Sequence, residues 1–143
     1  MVRHSGSVPA RRRTDPVAGR AALAAWRADP TAADRTTTAT AVRSTLEDLA
    51  LRAPGHTVEV RVAPFGVVQC VPGPRHTRGT PPNVVEADAA TWLALAAGDL
   101  AWSDALAQGR VRASGQRADL SPWLPLTAPA EPPVRSSGEP AGG

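Results

Sequence analysis

The stretch "TVEVRVAPFGVVQCV" (57–71) decides the fold class. Its first half alternates. Val58, Val60 and Val62 share one face, and Glu59 and Arg61 share the other, the two-residue period of a strand with one buried side. "APFG" (63–66) reads as a turn with Pro64 at its second position. "VVQCV" (67–71) then returns as the partner strand, so the stretch is a β-hairpin with one apolar face to cover.

The flanking segments supply the cover. Upstream, Asp15-Pro16 reads as an N-cap followed by proline at the first helical position. "PVAGRAALAAWRA" (16–28) follows as a helix burying Ala22, Leu23 and Trp26, and Asp29-Pro30 ends it. After a Thr-rich connector, "TATAVRSTLEDLALRAPG" (38–55) places Val42, Leu46, Leu49 and Ala53 at helical spacing, with Pro54-Gly55 as its stop. Downstream, "NVVEA" (83–87) reads as a third strand. Asp88 caps a helix that runs to Ala97 and ends at Gly98. A short helix covers Trp102–Gln108, and "RVRAS" (110–114) reads as a fourth strand. "GQRADLSPWLPL" (115–126) closes the chain with a short helical piece. This order predicts an α+β fold: a mostly antiparallel sheet of four to five strands with helices on one face.

Composition limits the function classes. The 143-residue chain has a formal charge of +3, and all 16 of its basic residues are arginine. Residues 1–14 hold Arg3, Arg11, Arg12 and Arg13 and no acid. Residues 15–127 carry 11 arginines against 11 acids. The excess charge thus belongs to an arm rather than to the folded body, so no nucleic-acid partner is expected. Residues 1–14 and the Pro-, Gly- and Ser-rich 128–143 have too little apolar surface to offset their ordering entropy. The expected division is a disordered basic arm (1–14), one domain (15–127) and a disordered tail (128–143). A single cysteine, Cys70, rules out an internal disulfide. No uncharged stretch nears the ~20 apolar residues of a membrane span. Arg11-Arg12-Arg13 is followed by Asp15, Pro16 and Arg20, which breaks any export h-region. The expectation is a cytoplasmic protein.

The segment from Thr40 to Leu126 resembles the bacterial branch of the sterol carrier protein family. The resemblance rests on the acid-helix-Gly-helix-Gly-strand-Gly run marked by Asp88, Trp92, Leu95, Gly98, Leu100, Ala105, Gly109, Val111 and Gly115. "RHTRGTPP" (75–82) and "RADLSPWLPL" (117–126) resemble features of the bacterial branch. The resemblance implies a five-stranded sheet layered with helices around an apolar tunnel. It also implies a non-enzymatic role in binding a small apolar or acyl-bearing ligand, with no cofactor. Related modules are fused to enzymes, which they assist.

The residues offer several candidate sites. Arg75, His76, Arg78 and Thr80 concentrate hydrogen-bond donors between Pro-rich clamps, and guanidinium forks suit carboxylate or phosphate. The plainer alternative is a stiff loop whose arginines pair with Glu86 or Asp119. Trp92 and Trp102 could wall a ligand cavity, and with Trp123 they could equally fill the core. Cys70 and His76 are the one conceivable thiolate pair, but Cys70 lies in a strand pattern and no third orienting group is evident. His4, His56 and His76 are too scattered for a metal site. The sequence has no G-x-S-x-G elbow and no G-x-x-x-x-G-K loop. Three functions remain: a carrier of an apolar ligand, an interaction module using loop 75–80 with an unknown partner, or an accessory to a thiol-dependent isomerase or transferase.

Overall fold

The computed structural model describes residues 11–73 and 83–126. Helix α1 spans Pro16–Ala28. The Asp15 side chain caps it by accepting from the Ala18 amide, and Pro16 opens the first turn. Helix α2 spans Arg35–Arg52 and begins earlier than its apolar pattern suggests. Asp34 caps it by accepting from the Thr37 amide at 2.7 Å. Thr36 and Thr37 are therefore helical, not part of the connector. β-branched threonine is a poor helix former, and here the cap and the packing of α2 override that weak preference.

Strands β1 (Val58–Val62) and β2 (Gly66–Cys70) form the expected hairpin, with Val58 opposite Cys70 and Val62 opposite Gly66. Its turn is set one residue earlier than expected. The Phe65 amide donates to the Val62 carbonyl at 2.9 Å, which puts Pro64 at the third position, after a cis Ala63–Pro64 bond. Two arginines of α2 hold this turn: Arg35 lies over the Phe65 ring at 5.1 Å, and Arg43 Nε donates to the Phe65 carbonyl. β2 stops at Cys70 because Val71 adopts φ 74, which takes it out of the ladder. The Val71 amide donates instead to the Ala53 carbonyl at 2.6 Å, tying the strand end to the exit of α2.

β3 (Asn83–Ala87) and β4 (Val111–Ser114) complete a four-stranded sheet of order β2-β1-β3-β4. The two outer pairings are antiparallel, whereas β1 and β3 run parallel, so the sheet is mixed. Chain order alone did not show that β3 adds beside β1 rather than β2. Between β3 and β4 lie α3 (Ala89–Ala97) and α4 (Trp102–Ala107). The closing segment contains a 3-10 turn at Ser121–Trp123.

The sheet has one wet and one dry side. Glu59, Arg61, Glu86 and Arg112 share the outer face, where Arg61 pairs with both glutamates. Val58, Val60, Val62, Cys70 and Val85 point inward, each at most 1% exposed. They meet Leu46 and Leu49 of α2 and Trp92, Leu93 and Leu95 of α3 in one core. Burial on this scale, at about 25 cal/mol per Å² of apolar surface, is the main term holding sheet to helices. α1 packs on the far side of α2 and is stapled to the end of α3 by a bidentate Arg27–Asp99 pair at 2.9 and 2.7 Å.

Candidate functional site

The end of α3 and the closing segment create a groove. α3 ends at Gly98, whose left-handed φ of 87 suits glycine. An added Cβ there would lie 3.2 Å from Pro125, so the two segments touch. The Leu126 amide donates to the Ala96 carbonyl at 2.9 Å. Arg52 reaches across from α2, with its guanidinium donating to the Pro125 carbonyl at 3.1 Å and the Leu126 carbonyl at 2.6 Å. Held at this end, the closing segment faces α4 across a groove of about 680 Å³.

The walls of the groove are apolar. Leu95, Leu100, Trp102 and Leu106 line one side, and Ala118 and Leu124 line the other. Ser103, Asp119 and Ser121 supply the polar lining. Asp119 is also structural, since its carboxylate accepts from the Ser121 amide at 2.9 Å and starts the 3-10 turn. Leu106 is 41% exposed, so part of its apolar surface stays open to water in the groove. The groove can shelter an apolar group, and its volume is typical of small-ligand sites, at roughly 300–1,000 Å³.

The two candidate tryptophans part company. Trp102 stands in the groove wall. Trp92 is fully buried, and its indole Nε1 donates to Thr45 Oγ1 at 2.8 Å. Trp92 therefore belongs to the core between α2 and α3. Trp123 packs partly buried against that core. Arg75, His76, Arg78 and Thr80 lie outside the described residues. Leu106 and Leu124 carry no separate signal in the sequence, although Leu124 lies within "RADLSPWLPL".

The other candidate chemistries fare differently. Cys70 has no exposed surface, and burial pushes its thiol up to about 12. A thiolate nucleophile needs the opposite shift. Its suggested partner, His76, lies outside the described residues. His56 Nδ1 sits 3.0 Å from Gln69 Oε1. Among the described residues no three His, Cys, Asp or Glu side chains gather as metal ligands. Among them, too, no helix is long and apolar enough to cross a membrane.

The family described as bacterial SCP ortholog matches residues 34–126. The chain belongs to this family. The match begins at the cap of α2, takes in the four described strands, and ends at the last described residue of the closing segment. No curated protein matches the chain. Within this SCP-like chain, α1 lies before the matched span, so the surface where α1 meets α2 is built from one element inside the family match and one outside it.

Proposed function

We propose that the chain is a non-enzymatic sterol-carrier-like domain whose groove between α4 and the closing segment binds a small apolar or acyl-bearing ligand. The observation that carries this reading is the apolar wall of Trp102, Leu100, Leu106 and Leu124 around about 680 Å³ of partly open space. Family membership supports a carrier role in general terms. The buried, un-ionised Cys70 weighs against the thiol-dependent alternative. The groove offers apolar contact and a few polar groups but no activated nucleophile, which fits holding rather than converting a ligand.

Native mass spectrometry of the protein purified from its own host tests the proposal directly. The expected result is a noncovalent adduct of defined mass that organic extraction removes. Titration with decanol gives a second measurement, with saturable binding as the expected result. Absence of both an adduct and decanol binding would overturn the reading.

A further inference from the structure

A second cleft lies where α1 packs against α2. Its volume is about 680 Å³, and it shares no lining residue with the groove. Leu23, Leu51 and Leu126 give it an apolar floor. Arg12, Arg20 and Arg52 stand around it together with Asp48. We infer that this cleft is a binding site for an alkyl monocarboxylate, with the carboxylate met by Arg20 and Ser44 and the alkyl chain laid on the three leucines.

The charges select the head group. Arg12 is taken up by Asp48 and Glu47. Arg52 has only the Pro125 and Leu126 carbonyls as partners among the described residues, so no carboxylate there offsets its charge. Arg20 has no hydrogen-bond or ion-pair partner among the described residues. Two cations without counter-ions beside an apolar floor suit an anion with an apolar tail. Asp48 in the lining opposes a dianion, which favours a carboxylate over a phosphate.

Ser44 supplies an independent observation. It is 4% exposed and lines the cleft, yet its hydroxyl has no partner among the described residues. A buried hydroxyl without a partner is unusual, because each costs about 1–3 kcal/mol of desolvation. A ligand oxygen in the cleft would satisfy it. The neighbouring Thr45 shows the ordinary outcome, with its hydroxyl donating back to Ala41 O at 2.8 Å and accepting from Trp92.

The test titrates the full chain with octanoate, octanol and acetate, by calorimetry and by amide NMR shifts. Octanoate is expected to bind and to shift the amides of Leu23, Ser44 and Leu51. At these three amides octanol and acetate are each expected to titrate about tenfold or more weakly, having lost the head group or the chain. Arg20→Gln, at an exposed position that leaves folding intact, should weaken octanoate about tenfold or more. Ser44→Ala should weaken it by a smaller factor. Trp102→Ala should leave the octanoate titration of these three amides unchanged, which separates this site from the groove. The inference is overturned if octanoate does not shift these amides, if Arg20→Gln leaves its affinity there unchanged, or if octanol or acetate titrates the same amides as tightly. It is also overturned if the shifts and the Trp102→Ala effect place octanoate in the groove alone.

Discussion

Trp92 Nε1 donates to Thr45 Oγ1 across 2.8 Å, and both residues are buried. This bond joins α3, which carries one wall of the groove, to α2, which covers the hairpin. The same threonine hydroxyl donates to Ala41 O and Val42 O of its own helix, so its acceptor lone pair is free for the indole. Thr45→Val keeps the shape and removes the acceptor. The indole N–H is then buried without a partner, at a cost of about 1–3 kcal/mol. Urea unfolding is the measurement, and Thr45→Ser, which keeps the hydroxyl, should lose less. Equal losses for the two variants would mean that the methyl group matters more than the bond.

The crossing of α1 over α2 depends on Gly19. A Cβ added there would fall 1.9 Å from Ser44 Oγ and 2.6 Å from Ser44 Cβ. Gly19→Ala would gain about 1 kcal/mol of helix propensity in isolation. Here the clash outweighs the gain, and a net loss of about 1–3 kcal/mol is expected. Rotating the hydroxyl away cannot relieve it, because the Ser44 Cβ is itself too close. Ser44→Ala should therefore fail to rescue Gly19→Ala, while Ser44→Gly should recover part of the loss. A double-mutant cycle reads this coupling. An additive cycle would mean that α1 shifts freely on α2.

Arg12 and Thr14 sit on the acidic pair of α2. Arg12 pairs with Glu47 and Asp48, and the Thr14 amide donates to Glu47 at 2.9 Å. A chain spanning residues 11–127 is expected to melt as the full chain does. A chain spanning 15–127 leaves adjacent Glu47 and Asp48 without these partners. Its midpoint should fall by about 2–5 °C, the size of a partly exposed ion pair. The difference should shrink as salt is raised. Identical melts for the two shorter chains at low salt would show that these contacts contribute nothing.

Leu106→Arg probes the groove without touching the core. The side chain is 41% exposed, so the fold loses little, and a melt within a few degrees of the parent is expected. Placing a guanidinium in the apolar wall should weaken decanol binding about tenfold or more, since a buried charge without a partner is strongly disfavoured. Normal decanol affinity in this variant would move the ligand away from Trp102 and Leu124.

Local signals were legible from the residues, and long-range ones were not. Asp15-Pro16 and Asp88 mark their helix starts because a capping carboxylate acts within one turn. The alternation of Val58, Val60 and Val62 marks the buried face because the pleat enforces it. The parallel pairing of β1 with β3 has no such local sign, since it depends on which edge of the hairpin the returning chain reaches. The roles of Trp92 and Trp102 are likewise tertiary. Both occupy helices, and only the placement of α4 at the surface makes one of them a wall. That the Ser44 hydroxyl has no partner among the described residues is invisible in sequence for the same reason, because it arises where α1 packs on α2.

Cys70 gives the chain an unusually clean alkaline probe. The sequence has no lysine and no tyrosine, and its arginines do not titrate in water, so Cys70 is the one side chain that ionises above pH 8. Burial pushes the thiol up to about 12, while the unfolded thiol ionises near about 8.5. The folded form therefore holds its proton over a window in which the unfolded form has released it. Stability from this term is fully present below about pH 8.5 and is lost as pH rises toward the folded value. The slope should approach about 1.4 kcal/mol per pH unit, the value for one proton. Urea unfolding of the parent and of Cys70→Ala, run between about pH 7 and pH 10.5, isolates it. The variant is less stable at pH 7, because a packed sulfur is gone, but its curve should be flatter. The two curves then converge as pH rises. A thiol reagent should label the folded parent slowly at pH 8 and the urea-unfolded chain quickly. Parallel stability curves with rapid labelling of the folded parent would mean that Cys70 is reachable as a thiolate, and the thiol-dependent alternative would return.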